Sequence, residues 1–485
     1  MTEALLSVAG LSVSYGGIPV LRDIAFDLAP GETLAILGLS GCGKSTLLRA
    51  LLGLLPPSAH VEGTARTASG PVRLADRAAL RQRLGREIGF VAQNPFDACA
   101  PLRRVRAHVE EAWRAHGLPP DAARIAGLCA QLGLDPATLD RHPHEWSGGM
   151  LQRANIAAAV ALAPPVVLAD EPTSAVDAET ADAVMACLRA GAPGTVVVSH
   201  DLPLVQRIAD RVLLIEDGRI AAVAARADLA ADRLPPALRA FRQAGAVARP
   251  AAPGGEVVLA ASGLAVARGG LRLIEGLDLA LCRGEVIGIA GRSGTGKSTL
   301  LAVLAGALPP AAGVIRRSGA LRPPQRGEVL SLFQDSLSSM NRRWPLSRIV
   351  AEPLTVAPRR VPGRARRDAA VGALAAFGLG HLDPGLRPEH LSFGQAQRVT
   401  LARASLAGPA LVLADEPTSA LDPRQKARAL DGLARLAEAG AGIVLVSHDR
   451  ALLDTFCHRT LLVGWSGQGP APERSAPAAP CRPRA

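Results

Sequence analysis

Two glycine-rich segments of the sequence have the residue types and the spacing of a phosphate-binding loop. The pattern GxxxxGK[ST] occurs as GLSGCGKST at Gly38–Thr46 and again as GRSGTGKST at Gly291–Thr299. Glycines let the backbone curve around phosphates, the start of the following helix offers N–H donors, and the lysine neutralises phosphate oxygens. Each segment follows an apolar run and precedes a helical stretch, Ser45–Leu54 or Ser298–Leu308, as this motif requires. The sequence therefore predicts two nucleoside triphosphate sites.

The groups that we expect to hold the phosphates come from both loops. Ser45 and Ser298 are also expected to ligate Mg²⁺ through their hydroxyls. The full set is Gly38, Ser40, Gly41, Cys42, Gly43, Lys44, Ser45 and Thr46 in the first loop, and Gly291, Ser293, Gly294, Thr295, Gly296, Lys297, Ser298 and Thr299 in the second.

An acidic pair follows a second apolar run in each half of the chain. The pairs are Asp170-Glu171 and Asp415-Glu416, and the same residues, PTSA, come after both. We predict that the first carboxylate of each pair holds Mg²⁺, directly or through water. The second would orient and deprotonate the water that attacks the terminal phosphate, which makes it the general base.

Histidines and glutamines end further apolar runs. His200 and His448 occur in the same tripeptide, SHD, and a neutral imidazole there could contact the terminal phosphate and the attacking water. Gln93 and Gln334 each follow a short apolar run, and a glutamine at a strand end can coordinate Mg²⁺. Both histidines are predicted to be catalytic, and both glutamines are predicted to sense the nucleotide.

The recurrence of these motifs in one order indicates a tandem repeat. We predict one domain at residues 1–243, a linker rich in Ala, Pro and Gly at 244–256, a second domain at 257–466 and a disordered tail at 467–485. Short apolar runs that alternate with helical stretches are typical of buried parallel strands in an α/β fold. Ligands are expected at the carboxyl ends of these strands.

The two repeats resemble the ATP-binding-cassette (ABC) family. The diagnostic segments are WSGGMLQR at Trp146–Arg153 and LSFGQAQR at Leu391–Arg398, each shortly before its acidic pair. The resemblance implies two P-loop NTPase domains, each a mainly parallel sheet with an antiparallel β part and a helical subdomain. It also implies that each signature meets the terminal phosphate held by the other domain. Ser147, Gly148 and Gly149 would then serve the Lys297 site, and Ser392, Gly394 and Gln395 the Lys44 site.

Further positions follow from the family pattern. Ser174–Asp177 and Ser419–Asp422 match the loop that crosses the domain interface, and Tyr15, 23 residues before Gly38, matches the aromatic residue that stacks on adenine. Arg268 takes the place of that tyrosine in the second repeat, and Phe393 replaces the first glycine of the second signature. Because both glutamates and both histidines are present, we expect two competent sites, with unequal turnover as an open alternative.

The stretches after Gln93 and Gln334 resemble the peptide/nickel branch of ABC importers. The resemblance implies Mg²⁺-dependent ATP hydrolysis that drives solute uptake through two permease subunits, with a periplasmic or lipid-anchored solute-binding protein. The chain would lie on the cytoplasmic face of the inner membrane. The segments QDSLSSMN and SGGMLQR favour nickel or a metal-chelator complex slightly over peptides as cargo.

Bulk properties exclude few functions. The formal net charge of +11 could suit nucleic acid, but the basic residues are dispersed and no nucleic acid is expected. No apolar run reaches the roughly 18–20 residues that span a bilayer. A soluble twin-cassette ATPase of ribosomes or DNA is an alternative, which a short linker and the lack of a CxxC pair disfavour. An exporter motor or a degenerate regulatory cassette is a third hypothesis, and the intact glutamates oppose degeneracy.

Overall fold

The chain divides into two compact units. The computed structural model describes residues 3–173, 178–229, 233–251, 253–291, 294–325, 327–333, 336–356, 361–419 and 421–463. The first unit is Met1–Ala244 and the second is Gly245–Ala485. Among the described residues, no helix is both long enough and apolar enough to cross a membrane.

The first unit combines two sheets with nine α-helices in its described part. Its strands are β1 Leu6–Tyr15, β2 Ile18–Leu28, β3 Thr33–Gly38, β4 Ala59–Thr67, β5 Gly70–Arg73, β6 Ile88–Val91, β7 Val166–Asp170, β8 Gly194–Val198, β9 Arg211–Glu216 and β10 Arg219–Ala225. Its helices are α1 Lys44–Leu51, α2 Arg77–Gln82, α3 Val105–Val109, α4 Glu111–Ala115, α5 Ala122–Gln131, α6 Gly148–Ala159, α7 Ala178–Gly191, α8 Leu202–Ile208 and α9 Pro236–Gln243.

The strands of the first unit separate into an antiparallel and a mainly parallel sheet. The antiparallel sheet has the order β2-β1-β4-β5, and the larger sheet has the order β10-β9-β3-β8-β7-β6. In the larger sheet only the edge pair β10–β9 is antiparallel. Strands β3, β7 and β8 are buried along their whole length, as expected for parallel strands covered on both faces. Helices α3 to α6 form a helical subdomain whose apolar core is continuous with residues of β7, β8 and α7.

The second unit repeats this design, with eight strands among its described residues. Its strands are β11 Val257–Arg268, β12 Leu271–Cys282, β13 Val286–Ala290, β14 Ala312–Arg317, β15 Val329–Leu332, β16 Leu411–Asp415, β17 Gly442–Val446 and β18 Arg459–Leu462. Its helices are α10 Lys297–Leu304, α11 Leu346–Val350, α12 Pro353–Val356, α13 Gly363–Ala376, α14 Phe393–Ala407, α15 Pro423–Glu438 and α16 Arg450–Phe456. The sheets run β12-β11-β14, antiparallel, and β15-β16-β17-β13-β18, parallel throughout.

The predicted fold class is confirmed in both units, and the helices after the phosphate loops are shorter than predicted. Helix α1 ends at Leu51 rather than Leu54, and α10 ends at Leu304 rather than Leu308. Each is followed two residues later by a glycine with positive φ, Gly53 at 66° and Gly306 at 77°. A left-handed glycine after the last turn is a common helix stop because it has no Cβ to clash.

The segment predicted as a linker packs onto the second unit. The Arg249 guanidinium donates to the carbonyls of Asp454 and Thr455 at 2.6 and 3.4 Å. The Gly254 N–H donates to the Arg283 carbonyl at 2.9 Å, and Val247 packs against the apolar core of that unit. Low periodicity in this segment therefore does not mean that it lacks fixed contacts.

Candidate functional site

The glycines of both phosphate loops adopt backbone conformations that other residues rarely take. In the first loop Gly41 and Gly43 have φ of 82° and 105°, and in the second Gly294 and Gly296 have φ of 80° and 91°. Left-handed turns of this kind direct successive N–H groups inward and form an anion-binding concavity. The loops therefore fit phosphate before any side chain is considered.

The lysine of each loop is held close to the start of that loop. Lys44 Nζ donates to the carbonyls of Gly38 at 2.8 Å and Leu39 at 3.0 Å, and Lys297 Nζ donates to the carbonyl of Gly291 at 2.7 Å. Both lysines are only 9% exposed. Since the loop backbone orients each ammonium group, its charge is directed where the loop would hold phosphate.

The first glycine of each loop fits a space that excludes any side chain. A Cβ on Gly38 would lie 2.6 Å from the Ile215 carbonyl oxygen, and one on Gly291 would lie 2.4 Å from the Val463 carbonyl oxygen. Both neighbours are backbone atoms, Ile215 in β9 and Val463 directly after β18, so neither can move aside cheaply. These positions require glycine for close packing of the loop against the sheet.

In each unit an aspartate at a strand end and the serine of the phosphate loop form a pair of oxygen groups suited to Mg²⁺. Asp170 at the end of β7 shares a hydrogen bond with Ser45, and Asp415 at the end of β16 shares one with Ser298. Carboxylate and hydroxyl oxygens are the ligands that Mg²⁺ prefers. Burial, opposed by that serine bond, raises the pKa of each aspartate, and a cation at the site would favour the ionised carboxylate.

The two candidate bases share a strained backbone conformation. Glu171 has φ of 48° and Glu416 has φ of 46°, in a region that non-glycine residues seldom enter. A backbone bond to the neighbouring strand stabilises each one: Glu171 N–H donates to Val198 at 2.9 Å and Glu416 N–H donates to Val446 at 3.0 Å. Strain repeated at one position of both units indicates that the side-chain direction matters for function.

In the first unit the base is part of a three-residue network. Glu171 Oε1 lies 2.8 Å from His200 Nδ1, and Glu171 Oε2 accepts from Gln93 Nε2 at 3.0 Å. Burial acts to raise the pKa of Glu171, but the bond to His200 and the charges of His200 and Lys44 outweigh it and hold the pKa below its ordinary value. Glu171 is therefore ionised and able to orient a water molecule.

In the second unit the corresponding pair is looser and has a different neighbour. Glu416 Oε2 lies 3.3 Å from His448 Nδ1. Against burial, His448 and Lys297 lower the pKa of Glu416, and the bond to Glu416 raises the pKa of His448 above 6.5. Lys426 forms an ion pair with Asp449, the residue after that histidine. Lys426 lies four residues after Asp422, and the residue at the same distance from Asp177 in the first unit is Ala181.

The signature serines each begin a helix. Ser147 Oγ accepts the Met150 N–H at 3.3 Å as the N-cap of α6, and Ser392 Oγ accepts the Gln395 N–H at 3.3 Å as the N-cap of α14. The Gln395 side chain also accepts the Ser392 N–H at 2.8 Å, which completes a capping box. Gly148 and Gly149 lie in the first turn of α6, and Gly394 lies in that of α14. The serine and glycine groups thus sit at helix starts, where an anion is favoured.

Sequence reasoning missed a pair of buried glutamines in the signature helices. Gln152 of α6 donates through Nε2 to the Pro172 carbonyl at 3.2 Å, directly after the base Glu171. Gln397 occupies the matching place in α14 and is 1% exposed. The dipeptide Gln-Arg at the end of both signatures was the available signal. This bond joins helix α6 to the segment that follows Glu171.

The remaining predicted residues include two strand ends and the exposed part of the first loop. Tyr15 ends β1 and packs partly buried against the core of the first unit, while Arg268 ends β11 and is exposed. Ser40 and Gly41 are exposed on the first loop. Ser293, Gln334 and Ser174–Asp177 lie outside the described residues.

Comparison with known proteins decides the family. The family model described as "ABC transporter" matches residues 21–174 and 274–419. The chain belongs to the ABC transporter family. As a member of this family, it is an ATP-binding protein and an ATPase.

Curated ABC relatives align along nearly the whole chain. The chain is 32% identical to the "Peptidoglycan transport ATP-binding protein YejF" of Agrobacterium fabrum, over 92% of this chain and 89% of the relative. It is 30% identical to the "Oligopeptide transport ATP-binding protein OppD" of Mycobacterium tuberculosis, over 95% and 93%. It is 29% identical to the "Glutathione import ATP-binding protein GsiA" of Salmonella typhimurium, over 95% and 84%.

A solved structure supports the fold independently. The "RNase-L Inhibitor" matches 93% of this chain and 87% of its own, with a TM-score of 0.63 and 21% identity. At that identity the likeness shows the fold alone.

Proposed function

We propose that the chain is the ATP-hydrolysing subunit of an importer of the peptide/nickel branch, with two partner permeases and a solute-binding protein. The observation that carries the proposal is the duplicated set of lysine, aspartate, glutamate and histidine, which gives each unit its own base and its own phosphate loop. Duplication in one chain supplies the two ATPase domains that a pair of permeases would require. The relatives named above, which are called transport or import ATP-binding proteins, support this proposal.

ATP and Mg²⁺ are the proposed ligands of both sites. In each unit the loop and its lysine would bind the phosphates, and the serine and aspartate would hold the metal ion. When bound, Mg²⁺ would neutralise phosphate charge. Glu171 and Glu416 would accept a proton from the attacking water, and His200 and His448 would hold those carboxylates in place. The pairing of Ser147 with the Lys297 site and of Ser392 with the Lys44 site remains a prediction from the resemblance.

A peptide-derived solute is the proposed cargo class. The three curated relatives are named for peptidoglycan, oligopeptide and glutathione transport. These names favour peptide-derived compounds over the nickel or metal-chelator cargo that the sequence slightly favoured. Cargo contacts lie in the partner proteins, so the preference for nickel remains an untested prediction.

Uptake by a deletion strain tests the function. A strain that lacks the chain should lose accumulation of labelled tri- to hexapeptides or muropeptides, and the wild-type gene should restore it while the Glu171→Gln/Glu416→Gln double variant should not. Labelled nickel and a nickel–histidine complex are the competing cargoes. Unchanged uptake of every cargo, together with co-purification of the chain with ribosomes rather than membranes, would replace the importer by the soluble twin-cassette alternative.

A further inference from the structure

A β-hairpin lies beside the phosphate loop of each unit. Strands β1 and β2 form it in the first unit, and strands β11 and β12 form it in the second. A Cβ on the loop glycine Gly43 would lie 2.5 Å from Cδ2 of Leu21 in β2. One on Gly296 would lie 2.8 Å from Cβ of Leu273 in β12. Each hairpin therefore packs directly against the start of the helix that follows its phosphate loop.

In the first unit the hairpin and the candidate general base lie on opposite sides of the loop. The loop follows β3, whereas Glu171 follows β7 and His200 lies just beyond β8, both on one side of β3 in the sheet. On the other side, the Gly218 carbonyl in the turn between β9 and β10 accepts the Arg22 N–H of β2 at 2.8 Å. Because the terminal phosphate of a bound nucleotide would face Glu171, its nucleobase would point to the hairpin.

The second unit has the same arrangement. Glu416 follows β16 and His448 lies just beyond β17, on one side of β13, while β18 lies on the other side. Arg459 at the start of β18 donates to the Ala280 carbonyl of β12. The opposite end of β12 carries Leu273, which contacts the phosphate loop. A nucleobase at this centre would likewise point to the hairpin.

The two hairpins present different residues to the nucleobase. Tyr15 lies on the same face of β1 as Val13, and Arg268 lies on the same face of β11 as Val266, because side chains alternate along a strand. Val13 is buried in one core with residues of α1, and Val266 is buried in one core with residues of α10, so both faces turn toward the helix after the loop. The second unit therefore has an exposed guanidinium where the first has a phenol ring.

The surroundings leave the Arg268 guanidinium available to a ligand. Within the part of the chain that the structure describes, it makes no hydrogen bond or ion pair. Arg272, on the other face of the hairpin, is instead paired with Glu275 at 3.0 Å. Leu271, across the hairpin from Arg268, is exposed, as is its counterpart Ile18. An apolar contact is thus kept in both units, and an aromatic ring is exchanged for a cation.

A guanidinium distinguishes purines by their hydrogen-bond acceptors. Guanine presents two neighbouring acceptors, O6 and N7, and the planar fork of an arginine can donate to both. Adenine presents N7 beside its N6 amino group, which is a donor and cannot accept from a group that only donates. A tyrosine ring stacks on either purine, because every base has a π-face.

We propose that Arg268 makes the second centre selective for guanine nucleotides, so that GTP binds there more tightly than ATP through O6 and N7 of its base. The first centre, with Tyr15, would bind the two nucleotides about equally. This assignment rests on the proposed function, since both phosphate loops must bind a nucleoside triphosphate. The two centres of one chain would then respond to different nucleotide pools.

The experiment isolates each centre in the full-length chain by removing the lysine of the other. Lys44→Ala leaves the second centre, and Lys297→Ala leaves the first. The β,γ-imido analogues of ATP and GTP, which resist hydrolysis, would displace a fluorescent N-methylanthraniloyl nucleotide in the presence of Mg²⁺. The measured quantity is the ratio of the two dissociation constants. Arg268→Tyr is tested in the Lys44→Ala chain, with Arg272→Ala on the opposite face as its control.

In the Lys44→Ala chain we expect the GTP analogue to bind about tenfold more tightly than the ATP analogue, near the low end for a bidentate contact because the site is exposed. Arg268→Tyr should bring the ratio to about one, and Arg272→Ala should leave the preference in place. The reciprocal exchange, Tyr15→Arg in the Lys297→Ala chain, should create a preference for the GTP analogue.

Three results would overturn the role of Arg268 and leave the proposed function standing. They are equal affinities for the two analogues at the second centre, a preference that survives Arg268→Tyr, and a loss of all binding in the Lys44→Ala chain while the wild-type chain binds nucleotide. If the wild-type chain binds neither analogue, the proposed nucleotide sites themselves fail. A thermal unfolding midpoint equal to that of the parent chain shows that each exchange leaves the fold intact.

Discussion

The two candidate catalytic centres have the same glutamate and histidine groups but hold them differently. In the first unit Glu171 and His200 are 2.8 Å apart, and their side chains are 11% and 20% exposed. In the second unit Glu416 and His448 are 3.3 Å apart, and theirs are 23% and 44% exposed. Gln93 also donates to Glu171, while its counterpart Gln334 lies outside the described residues.

This difference shows that two units with the same motifs can hold the candidate base with different precision. A base that is held by a shorter bond in a less exposed site loses less free energy to reorganisation when it accepts a proton from water. We therefore expect the first centre to hydrolyse more ATP than the second. The sequence left unequal turnover open, and this expectation says which centre is faster.

The largest effect should come from replacing the bases. Glu171→Gln/Glu416→Gln should lower steady-state ATP hydrolysis by about 10²–10⁴-fold, since general-base catalysis contributes that much. Of the single variants, Glu171→Gln should lose more, because Glu171 is the better-held base. Phosphate release by the purified chain measures the rates, with the exposed Glu389→Gln as control. A greater loss for Glu416→Gln would reverse the proposed ranking.

Removing the histidines should have the next largest effect. His200→Ala and His448→Ala each delete one hydrogen bond to an ionised carboxylate, which contributes about 1.5–3 kcal/mol. We expect the rate at the altered centre to fall by roughly 10- to 100-fold. His200→Ala should be the more severe because its bond is shorter. The exposed His60→Ala is the control, and equal rates for all three variants would remove the histidines from the catalytic account.

The pH dependence of stability should reveal the Glu416–His448 pair. The pKa of His448 is raised above 6.5, so its contribution is complete below that value and is lost as pH rises through the folded-state pKa. The pKa of Glu416 is lowered below 4.5, so its contribution is lost as pH falls through the folded-state pKa.

Urea unfolding of wild type and His448→Asn measures this contribution. The difference in unfolding free energy should be largest between pH 4.5 and 6.5 and should shrink at higher pH. The exposed His381→Asn is the control. A difference that grows above pH 6.5 would contradict the direction assigned to His448.

The smallest effect is expected at the ion pair that only the second unit has. Lys426→Ala removes the partner of Asp449, and because the pair is partly exposed the loss of stability should be at most about 1 kcal/mol. Exposed Arg450→Ala is the neighbouring control. A loss of several kcal/mol in urea unfolding would mean that the pair holds the His448 segment in place.

The sequence predicted the core of each centre because its signals are local. Six apolar runs ending in motif residues became buried strands, including Val166–Asp170 and Gly442–Val446. Parallel order places the carboxyl ends of such strands together, and this brought Glu171 to His200 and Glu416 to His448.

The parts that the sequence did not predict depend on distant residues. His108 and Ala158 both line a polar cavity of about 450 Å³ beside Gln93 and Asp170, and their counterparts in the second unit are Ile349 and Arg403. Neither residue belongs to a motif, and their effect appears only when two segments about 50 residues apart pack together. The bond from Gln152 to Pro172 is of the same kind.

Nucleotide retained by the double variant tests the central claim most directly, namely that Glu171 and Glu416 are the bases of two working ATP sites. The full-length Glu171→Gln/Glu416→Gln chain would be incubated with Mg²⁺ and labelled ATP, passed through a desalting column, and its nucleotide identified. The account expects one unhydrolysed ATP at each of the two centres, while wild type releases ADP. Recovery of ADP at the wild-type rate would contradict it.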